Sequence, residues 1–171
     1  MLSATPRPLF PSLVADIEAE YLRLGHTLGW RFLNVSQSVL NDHVRIALIT
    51  INPAGDHIPA DHPPASCEHG SSYIVERWGF DPGRSTLQVQ VQLLFAALAA
   101  EIRYTGTPSQ LLEESFISQF VPFRSPRFAS LPKQAASVTF ARNIWSRILP
   151  VISPHLVVCL GRKVQRELQR L

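Results

Sequence analysis

An amide, a carboxylate and an imidazole follow directly after an apolar run in the stretch LITINPAGDH, residues 48–57. The neutral amide of Asn52 cannot take a proton at neutral pH, whereas the carboxylate of Asp56 can act as a general base. Asn, Pro and Gly are also ordinary turn residues. The stretch therefore predicts either the floor of an active site or a simple turn at a strand end.

The elements that must position these groups follow an alternating pattern. Three apolar runs are predicted as strands: VRIALITI (44–51), SFISQFVPF (115–123) and HLVVCLG (155–161). Helices are predicted in SLVADIEAEYLRLGHTLGW (12–30), TLQVQVQLLFAALAAEIRY (86–104), KQAASVTFARNIWSRIL (133–149) and RKVQRELQRL (162–171). The second of these helices is ambiguous, because its first half alternates like a strand. The alternation predicts a single three-layer α/β/α domain over residues 1–171, with a short central parallel sheet.

A polar segment follows each predicted strand: NPAGDH, PFRSPR and GRK. Ligands of parallel α/β sheets bind beyond the carboxyl ends of the strands. We therefore expect the three segments to share one crevice. Residues 53–85 form a long excursion rich in Pro and Gly beside it, and a loop of that length in a compact domain is usually functional.

Bulk composition excludes several classes of protein. A chain of 171 residues with 46% apolar and 17% charged residues is typical of a globular domain. No apolar run approaches the ~18 residues of a membrane span, and the first ten residues lack the pattern of a signal peptide. Two cysteines cannot supply a disulfide framework or a four-thiolate cluster. We expect a cytoplasmic protein.

Charge is distributed unevenly along the chain. Residues 1–123 carry seven basic and twelve acidic side chains, whereas residues 124–171 carry nine basic side chains and one acidic side chain. Such polarity is typical of proteins that bind polyanions, and fourteen of the sixteen basic residues are Arg, whose planar fork suits phosphate. Solvated helix faces explain the same asymmetry equally well.

Familiar site motifs are missing from the sequence. It has no GxGxxG, no GxxxxGK[ST] and no GxSxG, which excludes the common dinucleotide, P-loop and serine hydrolase arrangements. Metal-ligating residue types cluster in one loop: Asp56, His57, Asp61, His62, Cys67 and His69. Their spacing matches no standard zinc pattern. We expect no metal or other cofactor, and a metal-dependent enzyme or another α/β hydrolase remains an alternative.

Three segments resemble motifs of one enzyme family. ITINPAGD, FISQFVPFRSP and ISPHLVVCLGRKVQREL are similar, in this order, to segments of the uracil-DNA glycosylase superfamily, especially its mismatch-specific and single-strand-selective branches. The resemblance spans residues 44–171 and points to branches without an iron–sulfur cluster. It implies a uracil-DNA glycosylase-like fold and hydrolysis of the N-glycosidic bond of uracil or a related damaged base in DNA.

The resemblance also implies roles for individual residues. Asn52 matches the water-positioning Asn of the family. Gln119 falls where the family carries a base-reading Asn, and its extra methylene departs from that pattern. Tyr73 is placed as the aromatic residue that stacks on the flipped base, with Trp78 and Phe80 as alternatives. The remaining residues expected around the base are Ile51, Pro53 and Gly55.

DNA is the expected partner, bound by a monomer through the basic part of the chain. Arg124, Ser125 and Arg127 lie in a loop bounded by prolines and are predicted phosphate contacts. Arg162 and Lys163 open a helix after a glycine and are predicted to help bind an anion. An ordinary solvated helix start explains these last two residues as well.

The end of the sequence departs from the family. The superfamily continues into a fourth strand and a loop with a His or Ser that stabilises the leaving base, whereas this sequence stops at Leu171. A fragment of a longer protein is one explanation. The other is a catalytically inactive glycosylase-fold protein that binds nucleic acid or a protein partner.

Overall fold

A short parallel sheet forms the centre of the computed structural model, which describes residues 9–41, 44–58, 63–66 and 70–171. Its strands are β1 (Ile46–Thr50), β2 (Phe116–Gln119) and β3 (Leu156–Cys159), in the order β2-β1-β3. In the central strand, Ala47 pairs with Phe116 on one side and Val157 on the other. β1 is buried on both faces as far as Ile49, which confirms the prediction of a parallel sheet covered by helices.

Six α-helices surround the sheet in the described residues: α1 (Leu9–Leu24), α2 (Ser72–Val75), α3 (Thr86–Glu101), α4 (Pro108–Glu114), α5 (Gln134–Ile152) and α6 (Arg162–Leu168). Short 3-10 helices cover Gln37–Asn41 and Phe128–Ser130. α1 packs on α5, whereas α3 packs on α2 and α4. The predicted α/β class with three layers is confirmed.

Helix caps explain where α3 and α4 begin. The ambiguous stretch 86–104 is a helix, because Ser85 caps it and the Gln88 side chain reaches back to the Ser85 N–H. Thr107 and Gln110 form the same reciprocal cap on α4. The sequence analysis predicted no helix at α4, although the TPSQ segment carries this cap pattern. α1 ends at Leu24, six residues before the end of the predicted helix, because Gly25 adopts a positive φ of 70°.

A segment before β1 covers the outer edge of β2. Trp30 bridges Phe123 and Leu33 bridges Ser118, both antiparallel, and the backbone N–H of Asn34 donates to the Ile117 carbonyl at 2.9 Å. These contacts satisfy backbone groups that an open strand edge would leave unpaired. β2 therefore has backbone partners on both of its edges, and the Trp30–Phe123 bridge also holds the loop that follows it.

β3 is the less buried strand. Leu156 and Val157 are each 40% exposed, and β1 is the only strand that pairs with β3 in the described part of the chain. The predicted cover on both faces of the sheet is found at β1 and β2, whereas β3 is partly exposed, because little described chain covers its outer side. No helix among the described residues combines the length and apolar character needed to cross a bilayer.

Candidate active site

The segments after β1 and β2 lie side by side. The ladder of these two strands continues past their ends, because the Phe120 N–H donates to the Thr50 carbonyl at 2.7 Å and Val121 donates to Ile51 at 2.9 Å. Further along, the Ser125 N–H donates to the Pro53 carbonyl at 3.2 Å. The expected meeting of NPAGDH and PFRSPR is therefore found in the structure.

Asn52 is held through its amide nitrogen. Its Nδ2 donates to Ser125 Oγ at 2.9 Å, to the Pro53 carbonyl at 3.1 Å and to the Phe123 carbonyl at 3.2 Å. Carbonyl oxygens only accept, so the nitrogen must face the loop and the Oδ1 atom must face away from it. Oδ1 has no hydrogen-bond partner among the described residues and is not enclosed. The side chain thus presents one fixed acceptor, which suits the orientation of a water molecule.

Arg124 ties the two segments together. Its side chain is half-buried and donates from Nη1 to the Ala54 carbonyl, while its Nε is enclosed without a partner. Burial lowers the pKa of Arg124, the nearby Arg31 guanidinium lowers it further, and Glu76 opposes both. Gly55 has a φ of 119°, and a Cβ at this position would lie 3.2 Å from Nη1. This arginine, predicted as a phosphate contact, therefore also links the loop after β2 to the Asn52 turn.

Ser125 and Arg127 differ in what they can offer to a ligand. Ser125 is buried, accepts from Asn52 and donates its one hydroxyl proton to the Arg127 carbonyl at 2.9 Å. It supports Asn52, and its hydroxyl offers no donor to DNA in this arrangement. The Arg127 guanidinium is exposed and makes no hydrogen bond to any described residue, so it suits the predicted phosphate contact.

Gln119 lies at the end of β2 with its amide oxygen engaged. Thr50 is its register partner in β1, and the Thr50 hydroxyl donates to Gln119 Oε1. The Nε2 group has no partner within the described ranges and is not enclosed, although the residue as a whole is buried. The predicted base-reading residue therefore points a donor outward beside the Asn52 turn. Sequence analysis missed Thr50.

An ion pair anchors the long excursion over residues 53–85 against the β2 side. Arg31 donates to both carboxylate oxygens of Glu76, at 2.5 and 2.8 Å, and also to Ser66 Oγ at 3.1 Å. Trp78 donates from its indole N–H to Glu76 at 3.0 Å. Sequence analysis missed this pair, because 45 residues separate the partners and no local pattern joins them.

The three aromatic candidates occupy different environments. Tyr73 is only 1% exposed, and its ring packs edge-on against Trp78 with 5.1 Å between the ring centroids. Burial raises the pKa of Tyr73 to about 12. Phe80 is 63% exposed. Stacking on a base requires an accessible ring face, so Phe80 meets this requirement as placed, whereas Tyr73 acts as a core residue in this arrangement.

The other residues predicted after β1 differ in how far they are buried. Ile51 is partly buried and packs against the core, and Pro53 is buried. Asp56 is an exposed residue whose side chain is 79% accessible, and it contacts His57 Nδ1 at 2.9 Å. That hydrogen bond lowers the pKa of Asp56, which makes its carboxylate a weaker base than usual.

The third segment contacts the loop after β2 through a lysine. Lys163 Nζ lies 4.5 Å from the centroid of the Phe128 ring, in the loop after β2. Arg162 and Lys163 are both exposed, and Gly161 before them has a φ of 115°. The GRK segment therefore lies at the same edge of the sheet as the other two, and its contact there is with Phe128.

The metal hypothesis gains nothing from the described residues. Asp61, His62, Cys67 and His69 lie outside them, so this part of the prediction falls where the structure gives no description. Within the described ranges, no group of three or more His, Cys, Asp or Glu side chains is placed to hold a metal ion. No ligand set is therefore assigned.

Two cavities lie away from the three strand ends. One, of about 320 Å³, includes Arg45 and Ser115 at the amino ends of β1 and β2, and the other, of about 340 Å³, lies between α3 and α4. Neither is lined by a residue of the predicted site. Comparison with family models, with curated proteins and with solved structures gives no match to this chain, so its geometry and sequence must support any function.

Proposed function

We propose that this protein is a DNA glycosylase that hydrolyses the N-glycosidic bond of uracil or a related damaged base. The observation that carries the proposal is the fixed amide of Asn52, whose nitrogen has three acceptors and whose oxygen is free. The resemblance of the three strand-end segments to the uracil-DNA glycosylase superfamily supplies the reaction class. The structure supports it by bringing those segments together.

The proposed reaction depends more on positioning the attacking water than on a general base. Breaking the N-glycosidic bond gives the sugar oxocarbenium character, while the departing base takes the electron pair of the bond. A water molecule that donates to Asn52 Oδ1 is held for attack on the sugar carbon. Asp56 is exposed and has a lowered pKa, so it contributes little as a general base.

DNA would be held by exposed cations at the edge of the sheet where the strands end. The guanidinium groups of Arg127 and Arg162 and the ammonium group of Lys163 are exposed on this side. Such groups neutralise phosphates and release counterions, so binding should weaken steeply as salt is raised. A flipped base would then lie against the Asn52 turn and Gln119.

The test is base release from synthetic DNA, single- and double-stranded, that carries one uracil or one mismatched base. Wild-type protein should release the base, and Asn52→Ala should release it about 10²–10³-fold more slowly, because the water loses its acceptor. Asn143→Ala, an exposed position on α5, is the matched control and should keep full activity. Failure of the wild-type protein to release any base would overturn the proposal.

A second candidate function is nucleic-acid binding without catalysis. Arg127 favours it, because its exposed guanidinium has no ionic partner among the described residues and needs no reacting group to bind a phosphate. It predicts salt-sensitive DNA binding that Asn52→Ala leaves unchanged, together with no base release by the wild-type protein. The same set of samples therefore separates the two functions.

A further inference from the structure

We propose that the exposed side of α3 is the interface of a dimer, in which a second copy of this chain packs its own α3 antiparallel against the first. The contact surface, called the α3 stripe below, consists of Thr86, Val89, Leu93, Ala96 and Ala100. The inference concerns assembly and does not depend on the proposed function. It differs from the monomer that the sequence analysis expected.

α3 is apolar on two opposite sides. Its buried side carries Val91 and Phe95, as the side of a helix that packs on a core must. Its exposed side carries Leu93, which is 64% exposed, and Val89, which is 36% exposed. The second apolar side explains why the stretch 86–104 alternates like a strand in its first half. A helix that is apolar all round is normally buried all round, so the exposed side lacks a cover in the single chain.

The spacing of the α3 stripe suits a second helix. Its members follow one another at intervals of three, four, three and four residues, which is the spacing at which one helix packs along another. Beside the stripe, a groove of about 340 Å³ between α3 and α4 is lined by Val89, Leu93 and Leu112. In a symmetric pair, the Leu93 side chain of each copy can enter the groove of the other.

The charges at the two ends of α3 identify a second copy as the partner. Arg84 stands nine residues before Leu93, and Glu101 stands eight residues after it. Both are exposed, and neither side chain has an ionic partner among the residues that the structure describes. Two α3 helices related by a two-fold axis at Leu93 run antiparallel, which brings Arg84 of each copy opposite Glu101 of the other. A parallel pair would bring like charges together, so the stripe is complementary to itself only in the antiparallel arrangement.

The oligomeric state of the full chain, measured by analytical ultracentrifugation, tests the proposal. One helix pair is a small interface, so we expect a dimer with a dissociation constant of roughly 1–100 µM. Leu93→Glu places a charge at the centre of the interface and should raise this constant at least ~100-fold. Leu22→Glu, at a 67% exposed leucine of α1, is the matched control and should leave it unchanged. A wild-type chain that stays monomeric at ~500 µM, or equal effects of the two variants, would overturn the proposal.

An exchange of charges tests the antiparallel arrangement itself. Arg84→Glu should raise the dissociation constant about 10-fold at low salt, because it sets acidic side chains against each other. Adding Glu101→Arg to the same chain restores opposite charges and should bring the constant back to within about 3-fold of the wild-type value. Both changes suit the helix dipole, with an acid near the start of α3 and a base near its end, so neither should unfold the helix. Failure of the second change to restore the dimer would overturn the antiparallel pair.

Discussion

Two regions at the edge of the sheet where the strands end are built differently: the β1–β2 corner, residues 51–54 and 120–127, and the β3–α6 side, residues 156–168. At the β1–β2 corner, Pro53 and Ser125 are buried and Asn52 is held by three acceptors. On the β3–α6 side, Leu156 and Val157 are 40% exposed. A buried corner whose groups are held by several hydrogen bonds can fix an atom in place, whereas an exposed side can supply charge but not fixed geometry.

Attachment of α6 shows the same contrast. Its buried Glu167 is held by Arg142 at 2.5 Å and by Arg170 at 3.2 Å, and Val164 is its buried apolar anchor. α6 is therefore held mainly by the carboxylate of Glu167 and by the buried side chain of Val164. Under the proposed function, we infer that the β1–β2 corner determines the rate of base release, while the exposed cations of Arg127, Arg162 and Lys163 contribute to the affinity for DNA.

The sharpest test of this comparison uses two glycines with almost equal φ angles. Gly55, next to the corner, has a φ of 119° and lies against Arg124, whereas Gly161, before α6, has a φ of 115° and no neighbour within 4 Å of a Cβ. Gly55→Ala should slow base release about 10²-fold, because it displaces Arg124 from the Asn52 turn. Gly161→Ala also places a side chain at a positive φ, which costs about 1–3 kcal/mol, and should keep most of the activity. Equal losses of rate would remove the distinction between the two regions.

Loss of the Glu167 ion pairs that hold α6 should change the stability of the protein more than its catalysis. Glu167→Ala leaves Arg142 without its buried partner and should lower the free energy of unfolding by ~2–3 kcal/mol, less than for a fully buried pair because Arg142 is partly exposed. Urea unfolding measures this loss. The exposed pair of Arg77 and Asp81 is the control, and Asp81→Ala should change the free energy of unfolding much less. A fall in kcat as large as that of Gly55→Ala would count against the assignment of roles.

The salt dependence of DNA binding distinguishes the exposed cations of Arg127 and Arg162 from Arg124, which holds the Asn52 turn. Arg127→Ala and Arg162→Ala should each reduce the slope of log affinity against log salt by about 0.9 in duplex DNA, because each removes one phosphate contact. Arg124→Ala should lower the rate of base release and leave that slope nearly unchanged. Fluorescence anisotropy over a range of salt concentrations measures the slopes. A reduced slope in Arg124→Ala would restore its originally predicted role as a phosphate contact.

The smallest effect concerns a buried histidine beneath the corner. His26 stacks on Phe123 with 4.4 Å between the ring centroids and lies 3.1 Å from Ser137 Oγ. Burial lowers the pKa of His26, so the unfolded chain takes up a proton before the folded one does.

Stability should therefore be fully present above the ordinary His pKa of 6.5 and decline as the pH falls through the lowered value. Melting temperatures at pH 7.5 and pH 5 measure the decline. His26→Gln should make that decline smaller, and an equal decline in the variant would exclude His26 as its source.

Much of the architecture was predictable because local signals determine it. The apolar runs and their alternation with helical periodicity led to a three-layer α/β fold, and α5 follows its predicted stretch closely. The meeting of Asn52 with Ser125 also follows from strand order alone, since parallel strands end at one edge.

The rest depends on contacts that leave no local trace. The hydrogen bond from Arg124 to the Ala54 carbonyl joins residues that are 70 positions apart, so neither segment alone could predict it. Tyr73 was chosen for its aromatic ring, but burial is decided by how the whole 53–85 excursion packs. The partial exposure of β3 was missed because an apolar strand has the same sequence pattern with one neighbour or with two.

Single-turnover release of uracil by the wild-type protein and by Asn52→Ala, with DNA affinity measured on the same samples, tests the central claim most directly. Under the proposed function, the outward oxygen of Asn52 would position the attacking water, so the variant should bind DNA as tightly as the wild-type protein and release uracil at least ~100-fold more slowly. Equal release rates for the two proteins, or no release by either, would contradict the account.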